Sequence, residues 1–280
     1  MNTIFKETEK ILKDANIKEY KAESKMIVLC VSNLTMEEIV LLDEIPNREK
    51  ILEIAKKRAT TGVPLQHILG YCYFMGEKYK VNKNVLIPRD ETEILVEKAY
   101  NLIKNKTEKI NILDIGMGSG CISCALAKKL SNHDIEILGV DISLEALEVA
   151  IENINNLNLV RKVIIRKSDI YSKIRDFEKF DLIVSNPPYI PLSQKVSLEN
   201  TVKDFEPHLA LFSDDEKGIN FYKKIIQNAK NYLKKDGFVA FELGINQSTE
   251  VKELLLNQGF KNIEITKDLA DIERVITAKI

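Results

Sequence analysis

The sequence predicts an α/β fold in which a parallel sheet follows an N-terminal helical domain and a β-hairpin linker. Up to about residue 62 the chain shows only helical patterns, whereas from about residue 91 strand-like and helical patterns alternate. Alternation of this kind is typical of a parallel sheet covered by helices on both faces. We therefore expect a helical domain at residues 1–62, a linker at 63–90 and an α/β domain at 91–280.

The helical domain is predicted to contain four helices. Their segments read IFKETEKILKDA, YKAESKMIVLCVSN, LTMEEIVLLDEI and NREKILEIAKKRATTG. Thr35 and Glu38 have the spacing of a capping box, and Gly62 is placed to end the fourth helix. In the linker, the alternating segment YCYFMGEKYKV predicts a β-hairpin, after which a new helix begins at Glu91.

The α/β domain is predicted to alternate strands with helices. Strands are expected at 110–115, 135–141, 162–167, 180–184 and 237–243. Helices are expected near 119–131, 143–156, 218–234 and 248–257. The C-terminal segment FKNIEITKDLADIERVITAKI instead predicts two strands with a short connection, which form an antiparallel pair at one edge of the sheet.

Charge and hydropathy say little about partners. The 41 Lys and Arg residues nearly balance 42 Asp and Glu residues, so no bulk positive field favours nucleic acid or an anionic membrane. The first residues, MNTIFKETEKILKD, lack the apolar core of a signal peptide, and the longest uncharged run, Ile115 to Ala127, is far shorter than the ~20 residues of a membrane helix. We expect a cytoplasmic monomer without direct nucleic-acid or membrane contact.

Neither cysteine nor histidine usage predicts a special site. Four scattered cysteines are too few for a disulfide framework in 280 residues. Cys121 and Cys124 have redox spacing, but the apolar segment CISCALA favours core cysteines on a helix that packs on the sheet. The three histidines lie far apart without partners at metal-ligand spacing, so no metal is predicted.

A glycine-rich turn marks the first strand of the α/β domain. The segment INILDIGMGSGCISCALAKKL places Gly116, Gly118 and Gly120 between a strand and a helix, where the backbone can pass close to a ligand. A dinucleotide fingerprint would need its third glycine at position 121, where the chain has Cys121. The spacing therefore disfavours NAD.

An acidic residue two positions before this turn makes the segment look like the S-adenosylmethionine site of Rossmann-like class I methyltransferases. There the carboxylate, here Asp114, lies near the methionine amino group. Asp141 ends the next strand and is placed to accept the ribose hydroxyls, and Asp169 with Ile170 resembles the pair that holds the adenine edge. We predict S-adenosyl-L-methionine as cofactor, with these binding residues: Asp114, Gly116, Met117, Gly118, Ser119, Gly120, Asp141, Asp169, Ile170 and Asn186.

Each of these signals also has a purely structural explanation. Tight turns between a strand and a helix use glycine for steric reasons alone. Asp141 could be an N-terminal cap of the helix that starts in DISLEALEVA. The joint spacing of the three loops at successive strand ends is what favours the cofactor site.

The segment Asn186-Pro187-Pro188-Tyr189 follows the fourth predicted strand. Proline cannot donate to a strand ladder, so the strand must end there, at the same edge of the sheet as the glycine-rich turn. The Asn186 side-chain oxygen and a carbonyl of the two prolines could each accept one N–H of an amide or amine, while the Tyr189 ring packs on the planar group. We predict these four residues to be catalytic, the alternative being a plain turn.

Seven segments together resemble the peptide chain release factor glutamine N5-methyltransferases of the HemK/PrmC type. They are PLQHILGY, VLIPRDETE, LDIGMGSGCI, VDISLEALEVA, FDLIVSNPPYIP, DFEPHLALF and FELGINQ. The resemblance implies methylation of the glutamine amide in the Gly-Gly-Gln loop of release factors, with the helical domain helping to dock that protein. The chain departs from the family pattern at Met117, where threonine is common, in the hairpin segment YCYF, which lacks an acidic residue, and at ADIER, which replaces a glycine-containing turn.

Two other functions remain open. Enzymes that methylate adenine amino groups in DNA or RNA also use Asn-Pro-Pro-Tyr, since an exocyclic amine presents the same two N–H groups. Such an enzyme would need to grip phosphates, which a chain of net charge -1 does not favour. A non-catalytic module would be expected to lose Asp114, Asp141 or Asn186, and all three are present.

Overall fold

The computed structural model describes residues 3–42, 44–197 and 200–280. Its α-helices are α1 Thr3–Asp14, α2 Tyr20–Ser32, α3 Met36–Leu41, α4 Arg48–Thr61, α5 Leu65–Leu69, α6 Asp90–Ile103, α7 Cys121–Lys129, α8 Leu144–Asn156, α9 Asn200–Lys203, α10 His208–Leu211, α11 Asn220–Tyr232 and α12 Ser248–Asn257. Its strands are β1 Tyr71–Phe74, β2 Glu77–Lys80, β3 Ile110–Ile115, β4 Ile135–Asp141, β5 Val163–Lys167, β6 Phe180–Ser185, β7 Ile190–Pro191, β8 Phe212–Ser213, β9 Leu233–Glu242, β10 Lys261–Lys267 and β11 Glu273–Lys279.

The smaller of two compact units is helical and comprises Met1–Leu69 with Glu199–Phe205. Thr35 and Glu38 form the reciprocal capping box at the start of α3, and Gly62 ends α4 in the left-handed conformation with φ 70°. Both caps were predicted, whereas the short helix α5 was not. Asp43, inside the third predicted helical segment, lies outside the described residues.

The larger unit comprises Gly70–Leu198 and Glu206–Ile280 and begins with the predicted β-hairpin. Strands β1 and β2 pair antiparallel, with Cys72 opposite Tyr79 and Phe74 opposite Glu77. Phe74 and Tyr79 are buried in the hydrophobic core of this unit. The predicted linker at 63–90 is therefore divided, since 63–69 belongs to the helical unit and the hairpin to the larger one.

A mostly parallel seven-stranded sheet forms the centre of the larger unit, which confirms the predicted α/β class I fold. The strand order is β10-β11-β9-β6-β3-β4-β5. The neighbours from β9 to β5 pair in parallel, and β11 pairs antiparallel with both β9 and β10 at the edge. From β3 the chain runs outward to β4 and β5 and then returns to β6 on the other side of β3. This reversal creates the topological switch point at which ligands bind in such sheets.

Successive side chains of the central strands point to opposite faces of the sheet and pack into two hydrophobic clusters, one on each face. On β3, Ile110 and Ile112 belong to one cluster and Leu113 and Ile115 to the other. The near-continuous apolar strands expected of a sheet covered on both faces are thus observed.

The predicted boundary between α11 and β9 differs most from the structure. Helix α11 ends at Tyr232, and β9 begins at Leu233, four residues earlier than predicted, where Leu233 pairs with Phe180. The ladder is then interrupted at Asp236, whose φ is 65°, before pairing resumes at Phe238. Lys-Asp-Gly at 235–237 is a turn-type sequence, and here it forms a bulge within the strand. Among the described helices, none combines the length and the apolar character needed to cross a membrane.

Candidate active site

A cavity of about 280 Å³ lies at the carboxyl ends of β3, β4 and β6. Segments from five loops line it: 84–86 with Pro88 and Thr92; 115–119 with Cys121 and Ile122; 141–143 with Ala146; 168–170; and 185–188. The remaining lining residues are Pro207, Leu209, Ala210, Phe221, Lys224 and Ile225. The cavity therefore occupies the switch point between β3 and β6.

The glycine-rich turn forms one wall of the cavity. The backbone N–H groups of Gly116 and Met117 donate to the Val140 carbonyl at 2.9 and 3.0 Å, which ties the turn to β4. Gly116 and Gly118 have φ 73° and 53°, and no heavy atom lies within 4 Å of the position a Cβ would take on either. Because both backbones border open space, a ligand can approach them more closely than it could approach a side chain.

Asp141 ends β4 beside this turn and lines the cavity. Its Oδ2 accepts the N–H of Gly118 and its Oδ1 accepts the N–H of Ser143, both at 2.9 Å. The N-cap of α8 is Ser143, whose hydroxyl accepts the Ala146 N–H, so Asp141 does not have the capping role considered as its alternative. Burial raises its carboxyl pKa, and the backbone hydrogen bonds oppose this.

Asp114 is fully buried and does not line the cavity itself. Its Oδ2 accepts the Ser123 hydroxyl at 2.6 Å, whereas Oδ1 has no hydrogen-bond partner among the described groups. Burial raises the pKa of this carboxyl to about 7, and the neighbouring Asp141 charge adds to the rise. Gly120, also predicted to bind the cofactor, caps α7 and is not part of the lining.

Asp169 and Ile170 form the third loop at this edge and line the cavity. Ile170 has φ 49°, an uncommon conformation for a β-branched residue. The Ser168 hydroxyl donates to the Ile170 carbonyl at 2.9 Å, and the Asp169 N–H donates to the Ser172 hydroxyl at 3.1 Å. These bonds hold the strained loop, a feature that clusters at ligand sites.

Asn186, Pro187 and Pro188 line the cavity directly after β6. The preceding Ser185 hydroxyl donates to the Ile115 carbonyl at 2.6 Å, which fixes the end of β6 against the end of β3. The Asn186 side-chain nitrogen Nδ2 donates to the Thr92 hydroxyl at 3.3 Å. Tyr189 is not part of the lining, and its hydroxyl points to Glu242, to which it donates at 3.2 Å.

Thr92 and Glu242 connect these residues into one buried network, which the sequence analysis did not identify. Both side chains are 2% exposed, and the Thr92 hydroxyl donates to the Glu242 carboxylate at 2.6 Å. Burial raises the pKa of Glu242 to about 7, while the hydrogen bonds from Thr92 and Tyr189 lower it. The available signal was a glutamate at the end of the apolar strand segment GFVAFE, because a charged residue in a buried strand needs partners.

The backbone after Asn186 is anchored by Gln247. Its side-chain nitrogen donates to the carbonyls of Tyr189 and Lys217, each at 2.8 Å, while its oxygen accepts the Gly244 N–H at 3.0 Å. One amide group thus uses both of its ends to join three loops. The backbone directly after the two prolines is thereby held in place.

The cysteines of α7 are buried side chains of the core. Burial raises the pKa of Cys124 to about 12 and raises that of Cys121 even further. A reactive thiol requires the opposite shift. Within residues 3–42, 44–197 and 200–280, no three His, Cys, Asp or Glu side chains cluster in a way that could hold a metal ion.

Comparison with known proteins identifies the fold and the family of this chain. Residues 90–205 match the model of the family described as "Methyltransferase small domain". The catalytic domain of hMettl16, solved with the MAT2A 3′UTR hairpin 6, is 18% identical and superposes with a TM-score of 0.59, covering 81% of each chain. At that identity the likeness shows the fold alone. Together the sheet and the family model define a class I methyltransferase.

Two relatives identify the family within the class I methyltransferases. The release factor glutamine methyltransferase of Clostridium acetobutylicum is 37% identical over 96% of this chain and 94% of its own length. That of Fusobacterium nucleatum is 43% identical over 83% of this chain, which spans only 64% of the Fusobacterium protein. The chain belongs to the release factor glutamine methyltransferase family.

Proposed function

We propose that this protein transfers a methyl group from S-adenosyl-L-methionine to the side-chain amide N5 of the glutamine in the Gly-Gly-Gln motif of peptide chain release factors, in the cytoplasm. The observation that carries the proposal is that Asn186 and the two prolines line the same cavity as the glycine-rich turn and Asp141. A methyl donor and a planar nitrogen acceptor could therefore meet at one switch point.

The residues of the cavity fit this donor. The open space beside Gly116 and Gly118 accommodates a ligand against the backbone. Each Asp141 oxygen accepts one N–H and keeps a lone pair for a ribose hydroxyl. Asp114 does not line the cavity, but its unpartnered Oδ1 is a buried acceptor that an ammonium group of the donor would satisfy. Asp169 and Ile170 would hold the adenine.

When bound, S-adenosylmethionine supplies a methyl group on a positively charged sulfur that already activates it toward nucleophiles. The chain must hold an amide nitrogen in line with that methyl. Orientation of this kind can lower a barrier by ~7–11 kcal/mol. Asn186 Oδ1 and a carbonyl of the proline segment would accept the two N–H groups, so that the nitrogen lone pair is free to point at the methyl group.

The helical unit would dock the release factor. Its helix α3 exposes Val40 and Leu41 at 77% and 85% of their full accessibility. We assign this adjacent pair of exposed apolar side chains to the surface that would meet the release factor. None of the described residues that line the cavity belongs to the helical unit, so we assign this unit to docking instead of donor binding.

The direct test is an incubation with donor labelled in its methyl group. Four acceptors are compared: a release factor, the same factor with its Gly-Gly-Gln glutamine replaced by alanine, double-stranded DNA and single-stranded DNA. We expect label in the release factor alone, recovered by mass spectrometry as N5-methylglutamine in the loop peptide. Label in the alanine-substituted factor would contradict the assignment of that glutamine as the methylated residue. Label in DNA adenine would favour the alternative of an adenine amino-methyltransferase.

A further inference from the structure

We propose that Glu242 and Thr92 are positioning residues that determine which end of the Asn186 side-chain amide faces the substrate. The inference rests on the proposed function, in which Asn186 accepts an N–H of the target amide. It assigns a role to the buried carboxylate of Glu242, which does not line the cavity but is hydrogen-bonded to Thr92, which does.

An asparagine side chain has nearly the same shape in its two orientations but opposite chemistry at its two ends. Its oxygen accepts hydrogen bonds, and its nitrogen donates them. If the amide turned around, Asn186 would present N–H groups to the N–H groups of the target, and no bond would form. The proposed role therefore requires a neighbour that distinguishes the two ends.

The buried network supplies this distinction. An ionised carboxylate only accepts hydrogen bonds, so the Thr92 hydroxyl gives its single proton to Glu242, at 2.6 Å. The Thr92 oxygen then has only lone pairs to offer, and the Asn186 nitrogen donates to it at 3.3 Å. The Asn186 oxygen is the end that remains for the cavity. A reversed amide would set one acceptor against another in a buried site, which is unfavourable.

The direction of the network depends on the charge of Glu242. A protonated Glu242 must donate its own proton to Thr92 or to Tyr189. When Thr92 receives it, the Thr92 hydroxyl becomes free to donate to the Asn186 oxygen, and the amide reverses. Because burial raises the pKa of Glu242 to about 7, this exchange falls within the range of an ordinary activity assay.

The groups around Glu242 allow this titration. The negative charge of Glu91 on α6 raises its pKa, and Arg274 on β11 lowers it. Arg274 is itself shared between Asp268 at 2.8 Å and Glu91 at 3.4 Å. The Tyr222 hydroxyl on α11 donates to the backbone carbonyl of Glu242 at 2.7 Å and leaves the carboxylate to Thr92 and Tyr189.

The first experiment compares Thr92→Val with Thr92→Ser in the full chain. Valine keeps the shape but removes the hydroxyl, and serine keeps the hydroxyl. At saturating donor we expect Thr92→Val to lower kcat roughly 10- to 100-fold, as is typical when the hydrogen-bond partner behind an active-site ligand is lost. Thr92→Ser should stay close to wild type, and donor affinity by calorimetry should be unchanged in both. Equal kcat for the valine and serine variants would overturn the inference.

The second experiment follows kcat between pH 6 and 8. Wild-type kcat should fall as pH drops through about 7, since protonation of Glu242 removes the productive orientation. Glu242→Gln should have a lower kcat with this acid limb gone, because the amide no longer titrates. Asp114 also has a pKa of about 7, but in the proposed function it pairs with the ammonium group of the donor, so saturating donor removes its contribution. An unchanged acid limb in Glu242→Gln would overturn the inference even if that variant were less active.

A spectroscopic measurement separates failure of this inference from failure of the proposed function. If wild-type protein methylated no release factor, the proposed function would fail, yet the Asn186 side-chain amide could still be observed by ¹⁵N NMR and assigned from its loss in Asn186→Asp. We expect its NH₂ resonances to shift with an apparent pKa near 7 in wild type and not in Thr92→Val. Resonances insensitive to both changes would exclude the network whichever substrate is used.

Discussion

The side-chain amide of Asn186 has different roles at its nitrogen and at its oxygen. Its nitrogen is bound to Thr92, and its oxygen is the proposed acceptor for the target amide. Asn186 is also among the predicted donor-binding residues, but its proposed contact is with the target amide, so we expect Asn186→Ala to leave donor affinity nearly intact. We expect kcat to fall by ~10²–10³, the cost typical of losing one polar contact that matters most in the transition state. Isothermal calorimetry with donor and initial rates with release factor measure the two quantities separately.

Asn186→Asp is the informative companion variant. It keeps an acceptor oxygen but cannot donate to Thr92, and it brings a second carboxylate near Glu242. We therefore expect activity above that of the alanine variant and below that of wild type. An alanine variant with wild-type kcat, or one that loses donor binding, would remove the proposed role from this residue.

The residues that the sequence predicted and those that it missed differ in how they are connected along the chain. The glycine-rich turn directly follows β3 and Asp141 is the last residue of β4, so local spacing identifies them. Thr92 meets Asn186 across 94 positions and Glu242 across 150 positions. No local pattern encodes such contacts, because only the assembled sheet brings the start of α6 to the ends of β6 and β9.

Among the elements, the loop that follows β6 depends on close backbone approach at Gly218. Its φ is 70°, and a Cβ there would lie 2.0 Å from the Tyr189 carbonyl oxygen and 2.5 Å from the Gln247 side-chain nitrogen. Gly218→Ala must therefore displace the backbone just after the two prolines. We expect a loss of roughly 1–3 kcal/mol of unfolding free energy, together with reduced kcat.

Gly76 in the turn of the β-hairpin provides a matched control. Its φ of 77° is close to that of Gly218, but no atom lies within 4 Å of its Cβ position. Gly76→Ala therefore carries the backbone strain without the collision. The unfolding free energy in urea and kcat are measured for both variants, and the difference between them reports the contact with Tyr189. Equal losses of stability and of kcat in the two variants would show that the loop does not need this close approach.

Regular elements of this chain were predictable where periodicity and caps coincide. The capping box of α3, the left-handed end of α4 and the antiparallel edge pair all lie where the sequence places them. Strand β9 started earlier than predicted because its bulge at Asp236 carries turn residues inside a paired strand. Turn chemistry alone cannot tell a bulge from a strand boundary, since both use the same residues.

For the whole molecule, the division into two units locates the cavity proposed to hold the donor within one of them. All the described residues that line the cavity belong to Gly70–Leu198 or Glu206–Ile280. The hairpin is part of that unit's core, because Phe74 and Tyr79 are 2% and 0% exposed. A truncation that tests the helical unit must therefore start before the hairpin, near residue 70, and not within or after it.

A fragment of residues 70–280 should bind donor with an affinity close to that of the full chain. It should methylate a short Gly-Gly-Gln peptide about as well as the full chain does. Such a peptide is too small to contact the helical unit, so removal of that unit does not weaken its binding. On an intact release factor its kcat/KM should fall, since the exposed apolar surface of α3 is gone.

A second fragment, residues 85–280, should lose donor binding, because it lacks the buried rings of Phe74 and Tyr79. If the 70–280 fragment matched the full chain on intact release factor, the helical unit would have no docking role, and the large α/β unit alone would carry substrate recognition.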